Sequence, residues 1–292
     1  MHKFLRSIGF SGCRNDRDVE ALLQKIIENP SERRRIQLDE QTNLCEIRGE
    51  VAPGMGISIF GEMDRDGIFQ RQFYFPYLLS GDMTSNADCS IQRHTEKETY
   101  AGLLDEYRVG ISLIFFLENL FEYREANRDS RFYKIEGANL TGLAVSGKIL
   151  LPLQKTAKQI ELSKVAARDR NSLIEAAKNG DEEAMETLTI EDIDLYSQIS
   201  RRMVKEDIYS IVETCFMPCG IECDQYSVIG EIRNVAVKKN AMTGEEVYDL
   251  TIESSDLLFH VGIAKVDLLG EPEVGRRFKG QIWMQGTVKF AS

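Results

Sequence analysis

The chain has 292 residues, which is enough for about two domains of ordinary size. Its hydrophobic fraction of 42% and charged fraction of 28% are typical of globular proteins, while 6 prolines and 22 glycines exclude collagen-like and low-complexity classes. The net charge of −11 repels phosphate backbones at long range, so we do not expect nucleic-acid binding to be the main task.

The expected compartment follows from the cysteines and the apolar runs. Six cysteines are too few for a disulfide scaffold, and residues 1–6 lack the apolar core and cleavage site of a signal peptide. The most apolar run, 109–117, is shorter than the roughly 20 residues that span a bilayer. We therefore expect a cytoplasmic protein with reduced thiols and no membrane partner.

The first predicted element is a helix over residues 16–29. Its apolar residues recur at helical spacing, Asp16 or Asp18 is the expected N-cap, and Pro30 follows the predicted end. The arginine run 33–35 comes next, and we interpret it as a solvated loop rather than a phosphate site.

The following segments predict a sheet around a buried helix. Residues 44–79 indicate a β-meander, and 89–94 predict a short strand. Residues 100–127 predict a helix, because the segment is too long for one strand and its apolar residues form two adjoining helical stripes. Residues 140–151 predict a late strand of the same sheet, stopped by Pro152.

Residues 154–215 form a segment rich in helix formers, without a strand signal. Asn179-Gly180 predicts a helix stop, Asp181 the start of a short helix, and Thr189 the cap of another. Residues 217–220 are expected to close the helical region.

The last stretch predicts long strands. Residues 278–290 alternate strictly between apolar and polar positions, and residues 257–263 alternate in the same way. Between 226 and 238 the apolar phase slips by one residue, which predicts a β-bulge. Short turns and internal glycines favour a small antiparallel barrel, with the five-stranded oligonucleotide- or oligosaccharide-binding kind as a candidate.

Four segments carry a resemblance to a known family. They are residues 1–11 (MHKFLRSIGFS), 191–196 (EDIDLY), 218–226 (PCGIECDQY) and 283–286 (WMQG). Together they resemble an uncharacterised bacterial family known only as a domain of unknown function. The resemblance extends over nearly the whole chain and implies a bacterial cytosolic protein. It supplies no activity, catalytic residue or ligand, so no function is carried over from it.

Signals for catalysis or cofactor binding are weak. Residues 62–68 place acids and a glycine as in a calcium loop, but Phe73 occupies the position where a bidentate glutamate is needed, so a hairpin turn is preferred. Nucleotide-binding glycine loops and a nucleophile elbow are absent, and His260 is interpreted as a lone surface histidine. We predict no catalytic residue and no cofactor.

Three cysteines recur every four residues, at Cys215, Cys219 and Cys223. Pro218 and Gly220 break the helix on which they would share a face, and the spacing is not that of a zinc knuckle. We therefore predict packing residues and no metal site.

Trp283 raises the sharpest question, because it lies on the polar face of the strongest predicted strand among lysines and glutamines. It could stack a base or sugar, anchor an interface with another chain, or pack within the molecule, and packing is the preferred interpretation. The candidate binding residues are Trp283, Lys279, Arg276 and Arg277.

These observations predict an α+β protein in three parts. Residues 1–152 would form an antiparallel sheet packed on a buried helix, 153–222 a helical segment, and 223–292 a small antiparallel β-barrel-like module. The expected function is that of a non-catalytic binding or scaffold protein that engages another protein or itself. The alternatives are nucleic-acid or oligosaccharide binding through the barrel, and an enzyme of unrecognised type.

Overall fold

The computed structural model describes residues 2–37, 43–63, 67–93, 99–126, 134–153, 157–220 and 223–290. They form a mixed α+β fold with a four-stranded and a ten-stranded sheet. The predicted strand residue His94 and the acidic residues of the 64–66 turn lie outside the described residues.

The first sheet is an antiparallel meander in chain order, which confirms the prediction for this region. Its strands are β1 (Glu32–Gln37), β2 (Asn43–Ala52), β3 (Met55–Met63) and β4 (Phe69–Leu78). The arginine run 33–35 lies within β1, where it pairs with residues 45–47 of β2. The loop interpretation was therefore wrong: an edge strand accommodates charged side chains, because one of its faces stays in solvent.

The predicted first helix is confirmed as α1 (Asp16–Glu28), and it packs on β2. Its N-cap is Asn15 rather than an aspartate, since the extended backbone of Asn15 lets its side chain accept from the amide of Asp18. A Cβ at Gly49 would lie 2.7 Å from Ile26, so a glycine here lets the helix lie directly on the strand.

The second sheet contains the remaining strands, in the order β13-β8-β12-β11-β10-β14-β7-β6-β5, with β9 added on β10. They are β5 (Cys89–Arg93), β6 (Tyr100–Glu106), β7 (Ile111–Leu117), β8 (Ile135–Leu150), β9 (Cys215–Pro218), β10 (Gln225–Lys239), β11 (Glu246–Ser254), β12 (Leu257–Ala264), β13 (Leu268–Leu269) and β14 (Arg277–Phe290). The predicted strands over 140–151, 257–263 and 278–290 are present as β8, β12 and β14.

The strands β8, β12, β11, β10 and β14 are connected in a ring, but the ring is uneven. β14 runs antiparallel to β8 along its whole length, whereas β12 pairs with β8 in parallel only over residues 260–263. This mixed sheet corrects the prediction of a purely antiparallel module. The register shift between Ile232 and Asn234 of β10 confirms the predicted bulge.

The predicted helix over 100–127 was wrong. The segment forms β6 and β7, joined by a 3-10 turn over Tyr107–Val109, and only its end is helical, as α2 (Leu120–Ala126). Alternate residues of β7, such as Leu113 and Phe115, are fully buried, while those between them are half-buried. A strand covered on both faces is apolar throughout, and its pattern therefore resembles that of a buried helix.

The helical segment is a hairpin followed by a short turn of helix. It contains α3 (Ala157–Lys178), α4 (Glu182–Met203) and α5 (Ile208–Ile211). Gly180, with a φ of 89°, makes the predicted stop between the first two. Thr189 caps no helix, because its hydroxyl donates to the carbonyl of Met185 within a continuous α4. The helical region ends at α5, and 215–218 form strand β9 rather than its closing turn. None of the described helices is long and apolar enough to cross a membrane.

Strands from the first and third predicted units share one sheet. β8, which precedes residue 152, is hydrogen-bonded to β12 and β14. The side chain of Gln285 in β14 also donates to the carbonyl of Pro76 in the first sheet. The two outer units are therefore joined by backbone pairing and by a common core.

Candidate functional site

Trp283 is buried, with 6% of its surface exposed. Its indole packs between the rings of Phe4 and Phe116, at 5.3 Å from each, and against His2 at 4.7 Å. The indole Nε1 donates to a carboxylate oxygen of Asp224. The polar face of β14 is therefore covered here by the start of the chain, and packing is the interpretation that the geometry matches.

The three basic candidate residues have separate partners. Arg277 is buried, and its guanidinium donates to the carbonyls of Leu151, Tyr209 and Val212. Lys279 lies 4.3 Å from the centre of the Tyr209 ring and donates to its hydroxyl. Arg276 forms an ion pair with a neighbouring glutamate at 2.9 Å. The structure therefore uses two of these cations to hold α5 and the end of β8, and it does not unite the four residues in an open patch.

The three regularly spaced cysteines lie around β9 rather than on a helix. Cys215 begins the strand, Cys219 follows its end, and the thiol of Cys223 accepts from the amide of Gln225 at 3.3 Å. All six cysteines are free thiols, and the described residues contain no His/Cys/Asp/Glu group placed to hold a metal ion.

His260 is not a lone surface residue but a half-buried one between two carboxylates. Its Nδ1 lies 2.8 Å from Asp249, and its Nε2 lies 3.3 Å from Asp82. The hydrogen bond with Asp249 raises the pKa of the imidazole above its usual value. These contacts of His260 link β11 and β12 to the loop after β4.

Three buried glutamates, Glu46, Glu106 and Glu118, were missed by the sequence analysis. Glu46 accepts from Arg48 at 2.7 Å and from Ser58 at 2.6 Å. Glu118 accepts from Thr141 at 3.3 Å, and its second oxygen has no hydrogen-bond partner in the described part of the chain. Burial raises the pKa of Glu118 to about 8, so the carboxyl is largely protonated at neutral pH. The available signal was the position of Glu118 directly after the most apolar run, at the end of a buried strand.

A cleft of about 380 Å³ lies where the helical hairpin meets the corner between β6 and β7. Ile174 and Leu188 line the helical side, and Asp105 and Ser112 line the sheet side. The hydroxyl of Ser112 donates to Asp105 at 2.7 Å, so this carboxylate already accepts a hydrogen bond within the chain. The cleft therefore lies at the end of the hairpin that contains the turn between α3 and α4, where the hairpin meets the sheet; we call this end the base of the hairpin.

Beyond this base, α4 presents an apolar face to solvent. We name it the α4 stripe; its residues are Ile190, Ile193, Tyr196 and Met203 of α4 and Val204, the C-cap residue that follows. Three of them are 60%, 74% and 82% exposed, namely Ile193, Tyr196 and Val204. At about 100° per residue, the five residues fall within about 140° of one another, on one side of the helix. Ala184 and Leu188, which are less exposed, lie on the other side.

The α4 stripe is a functional candidate because five large apolar side chains are exposed on one side of one helix and its C-cap, with only the small residues Ser197 and Ser200 between them. Single exposed apolar residues are ordinary, but a cluster of this size is typical of an interaction surface. The sequence analysis missed it because it divided this segment into two helices at Thr189. When residues 182–203 are treated as one helix with Asp181 as its N-cap, the apolar residues of the stripe fall on one side of it.

Comparisons with known proteins identify the family but no described relative. No curated protein and no solved structure matches the chain significantly. A family model does match it, over residues 5–286, and this confirms the resemblance inferred from the four sequence segments. The chain belongs to the family described as "Domain of unknown function, E. rectale Gene description (DUF3881)".

Proposed function

We propose that this chain is a non-catalytic binding or scaffold protein of the bacterial cytoplasm, which engages another protein or a second copy of itself through the α4 stripe. The observation that carries the proposal is the exposure of Ile193, Tyr196 and Val204 on one side of α4 and its C-cap. Burying apolar surface is worth roughly 25 cal/mol per Å², so covering this face would favour association.

The architecture supports the same role. The base of the hairpin is attached to the sheet at the β6–β7 corner, and Arg277 holds the segment that follows α4. The α4 stripe is therefore presented by a fixed support rather than by a free tail. The six free thiols are the form that cysteines keep in a reducing cytoplasm.

Site-specific photo-crosslinking in the cell of origin tests the proposal. A benzoylphenylalanine in place of Tyr196 should form adducts of defined mass when the cells are irradiated. The same group in place of Val266, which is 72% exposed on a 3-10 turn outside the α4 stripe, should not. Ile193→Asp in the Tyr196-labelled chain should abolish the adducts. Absence of adducts at position 196 in a folded, expressed chain would contradict the proposal.

A further inference from the structure

We infer that the partner of the α4 stripe is α4 of a second copy of this chain, packed antiparallel about a two-fold axis near Ser197. The inference rests on the proposed function and names its partner. A two-fold interface requires a surface that is complementary to itself, and both the apolar pattern and the charges of α4 meet this requirement.

The charges of α4 and of the two residues that follow it are divided between two halves of the segment. Residues 182–194 contain six acidic residues and no basic one. Residues 195–205 contain three basic residues and no acidic one. An antiparallel pair places each acidic half against the basic half of the other copy, and the symmetry repeats this contact. A parallel pair would place acid against acid, which is destabilising.

Asp194 and Arg201 set the register. They are seven residues apart, so they lie two turns apart on the same edge of the α4 stripe, and both are exposed. An axis midway between them brings Asp194 of each copy close to Arg201 of the other. In this register Ile193 faces the region of Met203 in the other copy, and Tyr196 lies beside the axis.

The other charged residues within 190–203 of α4 have partners within the chain. Asp192 and Glu191 are bonded to Arg170 of α3, at 2.7 and 3.4 Å. Arg202 is paired with Glu206, one turn further along, at 2.7 Å. The Arg170 contacts join α4 to α3, and the Arg202–Glu206 pair lies at the C-terminal end of α4, whereas Asp194 and Arg201 border the α4 stripe.

The expected dimer is a weak one. The α4 stripe extends over residues 190–204, roughly 21 Å at about 1.5 Å per residue, which is short for a stable interface. We therefore expect reversible association, with a mass that rises with concentration from 33.2 kDa toward twice that value.

Sedimentation of the full-length chain from about 1 to about 100 μM tests the inference. Tyr196→Glu should stay monomeric, while Val266→Glu, a matched exposed apolar-to-acid change elsewhere, should associate like the natural chain. Asp194→Arg and Arg201→Asp should each weaken association about tenfold. The double variant should restore it, and an equimolar mixture of the two single variants should form the heterodimer. Circular dichroism shows that each variant is folded.

The possible failures are distinguishable. A chain that is monomeric throughout this range overturns the inference, and the proposed function survives if Tyr196 still crosslinks to other proteins in the cell. If Tyr196→Glu abolishes the dimer but the double charge variant does not restore it, the antiparallel arrangement is overturned.

Discussion

The indole of Trp283 donates to Asp224 at 2.7 Å, and this bond joins the middle of β14 to the residue that precedes β10. The same indole is in contact with the N-terminal residues His2 and Phe4. The one tryptophan of the chain thus connects its start to its last strand, and it reports on that connection through its fluorescence.

We expect Trp283→Ala to lower the free energy of unfolding by about 3–5 kcal/mol, because it removes a large buried aromatic side chain. Trp283→Phe should cost less, since it retains ring packing but leaves Asp224 without this donor. Urea unfolding followed by circular dichroism measures both values. Val266→Ala, at an exposed site, is the control, and an equally small loss for Trp283→Ala would contradict the packing described here.

Glu118 makes stability depend on pH. Its pKa is about 8 in the folded chain, compared with an ordinary value of 4.5. Between these values the unfolded chain releases the proton while the folded chain keeps it, so the contribution of Glu118 to stability falls as pH rises and levels off above the folded pKa. Glu118→Gln, which carries no titratable proton, should remove this decrease. The measurement is the difference in unfolding free energy between the two proteins at about pH 5.5 and about pH 8.5. A difference that does not change with pH would contradict the assignment.

Arg276 and Arg277 are adjacent, but we expect different effects from their replacement. Arg277→Ala leaves the carbonyls that its buried guanidinium satisfies without a donor, and should cost about 3 kcal/mol. Arg276→Ala breaks a partly exposed ion pair, and should cost at most about 1 kcal/mol. Hydrogen exchange should accelerate at residues 208–212 in the Arg277 variant alone. Equal exchange in the two variants would show that Arg277 does not hold α5.

The pairing of β8 with β14 predicts that the first and last parts of the chain unfold together. A protease site inserted at Gly180, in the exposed turn between α3 and α4, should allow cleavage without separating the fragments. Residues 224–292 expressed alone lack β8 and should not fold. A single unfolding transition in the intact chain is the expected result. A stable fragment 224–292 would instead support a separable module.

Titration with single-stranded DNA or RNA should leave the fluorescence of Trp283 unchanged, because its indole is buried. Residues 224–292 carry 8 basic and 10 acidic side chains, so they present no excess of positive charge. The titration is done at low and moderate salt. Tight binding that weakens steeply with salt and is reduced by Lys279→Ala would favour the nucleic-acid alternative.

The elements predicted correctly from the sequence are those whose apolar residues recur at the regular spacing of a helix or a strand. α1 shows a clean apolar stripe, β14 alternates over its full length, and the bulge in β10 appears as a phase slip. In α1 one face is buried and the other is exposed, so the period of the sequence equals the period of the structure. In β14 residues 282–286 are buried on both faces, but the sequence keeps its alternation because the covered outer face carries polar residues and the tryptophan. β7 is covered on both faces, and its period is lost.

The candidate interaction surface shows the same limit. The residues of the α4 stripe are visible in the sequence, but a threonine that normally favours a cap suggested a break in the helix. Thr189 donates instead to the carbonyl one turn before it, which only the continuous helix permits. In one continuous helix the exposed apolar residues lie on one side, and the acidic and basic residues lie in different halves. This is the pattern from which the dimer is inferred.

The sequence by itself determined the class of the molecule, its family and most of its strands and helices, since these depend on composition and on spacing within a few turns. Only the tertiary structure decided that β8 pairs with β14, that Trp283 is covered by His2 and Phe4, and that Glu118 is buried beside Thr141. Each of these contacts joins residues far apart in the chain. Local periodicity reports which face of an element is buried, but not which distant element buries it.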